Sequence, residues 1–351
     1  MRTQRRQFER ARPAVLWTLL GFAAIQFALN AAVVSQHPEV QDSEYVERLT
    51  TLRERMAEGP NRPLCLLIGS SRMVDNFAPE KLPPLPAVNG EAPLVFNFAH
   101  LGAGPGMNLL VLRRLLREGI RPQWLVIEIM PPQLGDEKQS ILYSTANIRD
   151  LSITRRLHHP FQVYGDFVRR DLAPCYKYRR LFASRVPGWV PDAELEEDRF
   201  RLNPLGGWAK LSPPDPAQAR LKTDKARTDY RPALQQLTVT DLSDRAMREL
   251  LRLCRHRGIA VVLILSPEGS EFRSWYSPEG LQRVEEYCRN LSRESGVPLV
   301  DTRRWLADDE FIDSHHVNVV GAEHFTLRLN QEVLTPLVQG RLATPLSVAT
   351  K

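Results

Sequence analysis

The sequence predicts an α/β protein in which a mainly parallel sheet lies between two layers of helices. Short apolar runs of strand length alternate with amphipathic runs of helix length, which is typical of βαβ units. The composition agrees, since 43% of the 351 residues are hydrophobic and 25% are charged, as in ordinary globular proteins. These figures exclude a disordered chain and a membrane protein with many spans.

The N-terminus is predicted to anchor this domain in a membrane. Residues 14–34 carry no charge, and a helix of that length covers a hydrocarbon core of about 30 Å. Arginines crowd the residues before it, so we expect residues 1–13 to be a cytoplasmic basic tail and the main domain to be periplasmic or extracellular. Membrane lipid is therefore an expected partner. A cleaved signal peptide and a buried core helix are the alternatives, but the run is long for the first and apolar on all sides for the second.

Each element of the domain follows from a local pattern. Residues 35–62 are a polar stalk with a helix from Gln41 to Ala57. Continuous apolar runs predict strands covered on both faces, whereas apolar faces followed by a glycine predict helices. The strands begin near Pro63, Pro93, Trp124, Ile259 and Pro298, and the helices cover Gly106–Glu118, Asp241–Arg257, Ser277–Gly296 and Gly321–Leu334, the last ending near Pro336.

A long segment interrupts this alternation between the third and fourth strands. Its length, about 105 residues, far exceeds a crossover connection. We therefore expect one domain over residues 63–345 with an insertion at about 133–240. The first twelve residues supply most of the net charge of +6, so charge gives no reason to expect nucleic acid. The four cysteines lack metal-ligand spacing, and we expect neither a metal nor another cofactor.

Residues suited to nucleophilic catalysis follow three of the predicted strands. Ser71 follows the first strand, Gly102 the second, and both Asp313 and His316 the last. Ligands of open parallel sheets bind beyond the carboxyl ends of the strands, so these residues should converge. A serine hydroxyl needs a base, and the base needs a carboxylate that fixes its tautomer. We predict that Ser71 is the nucleophile, His316 the base and Asp313 its orienting carboxylate. The backbone N–H groups of Ser71 and Gly102 would hold the oxyanion.

These motifs resemble those of the SGNH/GDSL hydrolase superfamily. Gly69-Ser70-Ser71 matches its Gly-x-Ser block, and Asn97 and Gly102 keep the spacing of its second block. Residues 313–321 match its Asp-x-x-His block with the Asn and Gly that often follow. The resemblance implies a three-layer flavodoxin-like fold. One transmembrane helix before such a domain is similar to the anchored members that work on the cell envelope, such as the lipoteichoic-acid D-alanylation and alginate O-acetylation proteins. It implies an O-acyl esterase or O-acyltransferase whose substrate is an acyl ester of an envelope polysaccharide or glycoconjugate.

The sequence departs from the superfamily in its third block. That block, Gly-x-Asn-Asp, supplies an Asn that donates to the oxyanion, whereas residues 127–131 read Ile-Glu-Ile-Met-Pro. Losing one such donor typically costs about 100–1,000-fold in rate. The missing Asn favours a second hypothesis, a non-catalytic module that binds or scaffolds envelope polymer assembly. Neighbours of the expected site that could compensate or support it are Arg72, Asn97, His100, Asn108 and Glu128.

Other assignments of the same residues stay open. Ser70 is the fallback nucleophile. His315 and His324 are rival bases, although His315 has the wrong spacing from Asp313. These two histidines with Asp313 and His316 would be an alternative metal site without a recognised ligand spacing.

Two further features have a structural and a functional interpretation. Glu128 ends an apolar strand, so it either lies at the site or pairs with a neighbour such as Arg72. The run Gly102–Gly106 follows a strand as a dinucleotide loop would, but its glycine spacing differs from G-x-G-x-x-G and Pro105 lacks an N–H for a phosphate.

Overall fold

The computed structural model describes residues 2–36, 42–135, 150, 206 and 216–342. The chain divides into two units, and residues 2–36, 42–46 and 150 are the described part of the first. Helix α1 (Arg2–Gln36) contains a stretch, Pro13–Val33, that is long and apolar enough to cross a membrane, with a mean hydropathy of 1.6. Large side chains of this stretch, such as Trp17 and Phe27, are exposed. The expected N-terminal apolar helix is therefore present.

The second unit holds the sheet and most of α2 (Ser43–Ala57). The elements that follow are β1 (Leu64–Ile68), α3 (Ser71–Asn76), β2 (Leu94–Asn97), α4 (Pro105–Arg117), β3 (Trp124–Ile129), α5 (Pro131–Gly135), α6 (Pro216–Gln235), α7 (Asp241–Arg257), β4 (Ala260–Leu265), α8 (Ser270–Arg273), α9 (Pro278–Ser295), β5 (Leu299–Asp301), α10 (Val319–Leu329) and α11 (Thr335–Val338). A π-helical turn, Asn330–Leu334, joins α10 to α11.

The five strands form one parallel sheet in the order β2-β1-β3-β4-β5. The prediction of five parallel strands is confirmed, and each strand begins within one residue of its expected start. The chain runs from β1 to one side of the sheet and then returns past β1 to the other side. In open α/β sheets, ligands bind beyond the carboxyl ends of the strands at such a reversal.

Helices cover both faces of the sheet, so the strand residues that point to either face are buried. Leu67, Val126 and Ile264 point to one face, where they share a core with Phe77 of the segment after α3 and Phe325 of α10. The alternate strand residues are also buried, and on their side α7 packs against β4 and α4. Continuous apolar strands therefore have the cause that the sequence suggested, which is burial on both faces.

The helix ends follow their capping signals. Thr240 accepts a hydrogen bond from the backbone N–H of Ser243 at the start of α7, and Ser277 accepts one from Gly280 at the start of α9. Gly258 ends α7 in the left-handed region with a φ of 68°, which only glycine adopts freely. Both helices match their predicted bounds.

The last helical segment does not end near Pro336, as the sequence predicted, and this expectation is wrong. The π-helical turn widens the helix just before Pro336, and Pro336 then occupies the first turn of α11. A proline is tolerated there because the first N–H groups of a helix need no intrahelical partner. The chain stays helical to Val338.

The expected insertion is only partly described. Its described residues include α6, and none of them belongs to the sheet. Residues 136–149, 151–205 and 207–215 lie outside the described residues.

Candidate active site

The first component of the site is the turn that leads from β1 into α3. Ser70 is the N-cap of α3, and its Oγ accepts a hydrogen bond from the backbone N–H of Arg72 at 3.2 Å. Ser71 is the first residue of the helix. Ser70 is buried, whereas Ser71 is half-buried and lines an open cleft. Of the two serines, Ser71 is the one that a substrate can reach.

The second component is a tight turn in the long loop after β5. Backbone bonds close it, since Phe311 and Val317 pair as an antiparallel bridge and the N–H of Ile312 donates to the carbonyl of His316 at 2.8 Å. Inside the turn, Asp313 Oδ1 accepts the backbone N–H groups of His315 and His316 at 2.8 and 2.7 Å. The other oxygen, Oδ2, lies 2.9 Å from His316 Nδ1. The carboxylate of Asp313 therefore fixes both the backbone of the turn and the orientation of the His316 ring.

The two components meet in the structure. Ser71 Oγ lies 3.1 Å from His316 Nε2, although 245 residues separate them in the sequence. Because Asp313 occupies Nδ1, the neutral ring carries its proton there and presents the Nε2 lone pair to the serine O–H. The hydroxyl, imidazole and carboxylate form a continuous chain, which is the arrangement that activates a serine nucleophile.

Burial and nearby charges shift the pKa values of the neighbouring His315 and His316 in opposite directions. Burial opposes ionisation of Asp313, but hydrogen bonds from His315 and His316 outweigh it and hold the pKa of this carboxyl far below its usual value. Burial also lowers the pKa of His316, but Asp313 and Asp75 raise it by more, so the pKa of this ring lies above its usual value of 6.5. Burial lowers the pKa of His315 to about 4. His316 is therefore the more basic of the two rings.

An open cleft of about 410 Å³ lies over the serine and the histidine. Helix α6 forms one wall with Lys222, Lys225 and Tyr230. Asp75, one helical turn after Ser71, lies in the cleft with Oδ2 3.9 Å from His316 Nε2. The sequence analysis missed these residues. The spacing of four from Ser71 was a usable signal for Asp75, whereas no local signal places the inserted helix over the site.

The loop after β2 lies beside the turn from β1 into α3, which is called the nucleophile turn here because it carries Ser71, the predicted nucleophile. The backbone N–H of His100 donates to the carbonyl of Gly69 at 2.9 Å, and Leu101 lines the cleft. Gly102 follows with a φ of 64°, a left-handed conformation that favours glycine. The predicted oxyanion residue is thus next to a cleft residue, and its role stays a prediction.

Two of the expected neighbours lie away from the cleft. Asn97 donates through Nδ2 to the carbonyl of Met73 at 2.9 Å and accepts the N–H of Ala99 through Oδ1 at 3.1 Å, which ties α3 to the end of β2. Asn108 is buried in the first turn of α4. Neither residue is among those that line the cleft.

Arg72 and Glu128 belong to a buried charged cluster beneath the nucleophile turn. The Arg72 guanidinium lies 3.5 Å from Glu128 and 3.4 Å from Glu268, and all three side chains are fully buried. Arg72 also donates to the carbonyl of Ser266 at 2.7 Å. Glu128 pairs with Arg72, as one of its two interpretations predicted. It also lies close to the expected site, since it accepts the N–H and Oγ–H of Ser70 at 2.6 and 2.9 Å.

The rival histidines differ in position. His324 is an exposed residue of α10 whose Nδ1 contacts Glu310 at 2.5 Å. His315 is buried, and its Nδ1 lies 3.2 Å from Asp313 Oδ1, a contact that its spacing argued against. The ligand-type atoms of Asp313, His315 and His316 lie within 4.8 Å of one another, so among the described residues this trio, without His324, has the geometry of a metal-ligand group.

The model of an uncharacterised family matches residues 216–338, from α6 to α11. The match covers Asp313 and His316 but not Ser71 or the first three strands. No curated protein gives a significant match to the chain.

Proposed function

We propose that the protein is a membrane-anchored serine O-acyl esterase or O-acyltransferase of the SGNH type, which acts on an acyl ester of a cell-envelope polymer or glycoconjugate. The observation that carries the proposal is the chain of contacts from Ser71 through His316 to Asp313, with 3.1 Å and 2.9 Å between successive heavy atoms. Such a chain, assembled at the carboxyl ends of β1 and β5 and open to a cleft, supports nucleophilic chemistry on an ester.

The residues have distinct roles in this proposal. Ser71 Oγ attacks the ester carbonyl carbon while His316 Nε2 takes the hydroxyl proton. The tetrahedral intermediate collapses, the C–O bond to the alcohol breaks, and the imidazolium returns the proton to the leaving oxygen. Water or an acceptor hydroxyl then attacks the acyl-serine with His316 as base again, the bond between Ser71 Oγ and the acyl carbon breaks, and the imidazolium returns the proton to Ser71. Asp313 stays ionised throughout and stabilises the imidazolium, as its depressed pKa favours.

The oxyanion would be held by backbone N–H groups at Ser71 and Gly102. Ser71 begins a helix, where N–H groups lack intrahelical partners, and Gly102 follows a residue of the cleft wall. The superfamily Asn remains missing, because β3 ends in Glu128 and Ile129. This absence supports the second candidate function, a non-catalytic module that binds envelope polymer.

Labelling with a fluorophosphonate separates the two candidate functions. An activated serine displaces fluoride from phosphorus and becomes covalently phosphonylated, whereas an unactivated serine does not. We expect the full-length protein in detergent to label on Ser71, with the site identified by mass spectrometry of its peptides. Absent labelling would favour the binding module, whereas labelling that persists in Ser71→Ala would show that another serine, such as the fallback Ser70, is the nucleophile.

The location is part of the same proposal. The apolar stretch of α1 would anchor the chain, and the arginines before it would keep the N-terminus in the cytoplasm. We expect the protein to stay in the membrane fraction at alkaline pH. Protease added outside spheroplasts should digest the large domain and spare an N-terminal tag, and the reverse pattern would show that the orientation is wrong.

A further inference from the structure

The buried carboxylate of Glu128 lies directly beneath the nucleophile turn. Parallel pairing sets Ile127 of β3 opposite Ile68, the last residue of β1. The residues that follow these two, Glu128 and Gly69, are therefore neighbours. Gly69 has no room for a side chain, because a β-carbon there would lie 2.5 Å from Glu128 Oε2. The glycine of the Gly-x-Ser motif thus lets this carboxylate approach the backbone.

One oxygen of that carboxylate controls the turn. Glu128 Oε2 accepts both the backbone N–H of Ser70 at 2.6 Å and the Ser70 hydroxyl at 2.9 Å. The same hydroxyl oxygen accepts the N–H of Arg72 and so caps α3. The backbone N–H groups of Ser70 and Arg72, the two residues that flank Ser71, are therefore tied to one buried carboxylate, the first directly and the second through the Ser70 hydroxyl.

Buried neighbours hold this anion in place. The Arg72 guanidinium faces the other oxygen, Oε1, at 3.5 Å, and its own position is fixed by the carbonyl of Ser266 and by Glu268. Arg72 and Glu128 are both fully buried, so little solvent screens their attraction. A rigid carboxylate at this point limits the freedom of the turn that carries Ser71.

We propose that Glu128 is a positioning residue that sets the geometry of the Ser71 nucleophile by holding the N–H and hydroxyl of Ser70. This inference rests on the proposed function, since it concerns how the nucleophile is aimed. Glu128 acts through Ser70 and Arg72, and the reacting atoms are those of Ser71 and His316. An aiming role predicts a loss of reactivity that exceeds any loss of stability.

Glu268 offers a matched control in the same cluster. Its carboxylate contacts the same guanidinium at 3.4 Å and is equally buried, but the other described hydrogen bond of that carboxylate comes from the Tyr276 hydroxyl. Glu268→Gln therefore perturbs the cluster without touching Ser70, whereas Glu128→Gln removes the anion that Ser70 uses. A general effect of the buried charges would make the two variants equivalent.

The experiment measures the rate at which a fluorophosphonate labels Ser71 in the full-length protein, with thermal unfolding recorded in parallel. Glu128→Gln should label about 10–100-fold more slowly than the parent, because a shift of about 1 Å in a reacting group costs about a hundredfold. With nitrophenyl acetate the loss should fall on kcat rather than on KM. Glu268→Gln should stay close to the parent.

A triple variant keeps the test decisive if Glu128→Gln unfolds. Arg72, Glu128 and Glu268 form one buried charged group, and replacing such a whole group by apolar residues is often neutral for stability, so Arg72→Met, Glu128→Met and Glu268→Met together should fold yet still label slowly. Folded variants at position 128 that label at the parent rate would overturn the inference, as would equal losses in Glu128→Gln and Glu268→Gln. A parent that is not labelled at Ser71 would instead overturn the proposed function, and this inference with it.

Discussion

Replacing Asp313 by asparagine gives a sharp test of the triad, because the structure dictates how the new amide must sit. Oδ1 of Asp313 accepts two backbone N–H groups, from His315 and His316. In Asp313→Asn, only the amide oxygen can take over those two bonds. The amide nitrogen must then occupy the Oδ2 position, 2.9 Å from His316 Nδ1.

This forced orientation reverses the tautomer of His316. The amide N–H donates to Nδ1, so the ring proton moves to Nε2 and points at Ser71 Oγ. A base that already carries a proton cannot accept the one from serine. Loss of the correct tautomer typically lowers the rate by about 10⁴-fold, which corresponds to about 5.4 kcal/mol of activation free energy.

The assay is fluorophosphonate labelling of the full-length protein, with hydrolysis of nitrophenyl acetate as a second readout. We expect Asp313→Asn to unfold near the parent temperature, because its amide oxygen keeps the hydrogen bonds from the N–H groups of His315 and His316. Asp313→Ala loses these two hydrogen bonds, so it should lose stability in addition to reactivity. An Asp313→Asn variant that labels at the parent rate would refute the tautomer argument and the assignment of His316 as the base.

Ser71→Ala should abolish labelling, whereas Ser70→Ala keeps the backbone N–H bond to Glu128, so it should lose much less labelling and about 1 kcal/mol of stability with the helix cap, as peptide mapping and thermal melts would show. His316 acts as a base only when neutral, and its pKa is raised above 6.5, so the acid limb of kcat/KM should lie above pH 6.5. Asp75→Asn removes one of the charges that raise this pKa and should move the limb to lower pH. Gly69→Ala should lower the free energy of unfolding by at least about 1–3 kcal/mol in denaturant titrations, because its β-carbon has no space.

The sheet was predictable from local patterns, and the departures have identifiable causes. Runs such as residues 124–129 are apolar throughout because both of their faces are covered, and that property is visible in the sequence. Pro336 misled the prediction because a stop signal assumes regular helical hydrogen bonding. The π-helical turn before it changes that bonding, and nothing local in the sequence announces such a turn.

The meeting of Ser71 and His316 was predictable from the sequence, but the surroundings of the two residues were not. Ser71 and His316 each follow a strand, so the rule about carboxyl ends of strands brings them to one edge. Tyr230 and Lys225 come from α6, whose position over the cleft depends on tertiary packing of the insertion. The contact of His315 with Asp313 was missed because spacing rules for helices do not apply to a tight turn, where neighbouring side chains can face one acceptor.

The two halves of the candidate triad therefore depend on different levels of structure. Asp313 and His316 are held by bonds within one short turn, so the base and its carboxylate form a unit that the local sequence specifies. The nucleophile reaches them only when the sheet forms, and its turn is fixed by a carboxylate from β3. Mutations in the turn that holds Asp313 and His316 should thus alter the pKa of His316. Mutations at Glu128 should instead alter the approach of Ser71 and leave the pH profile in place. Measuring rate and pH dependence in the same variants would show whether the two effects separate as this division requires.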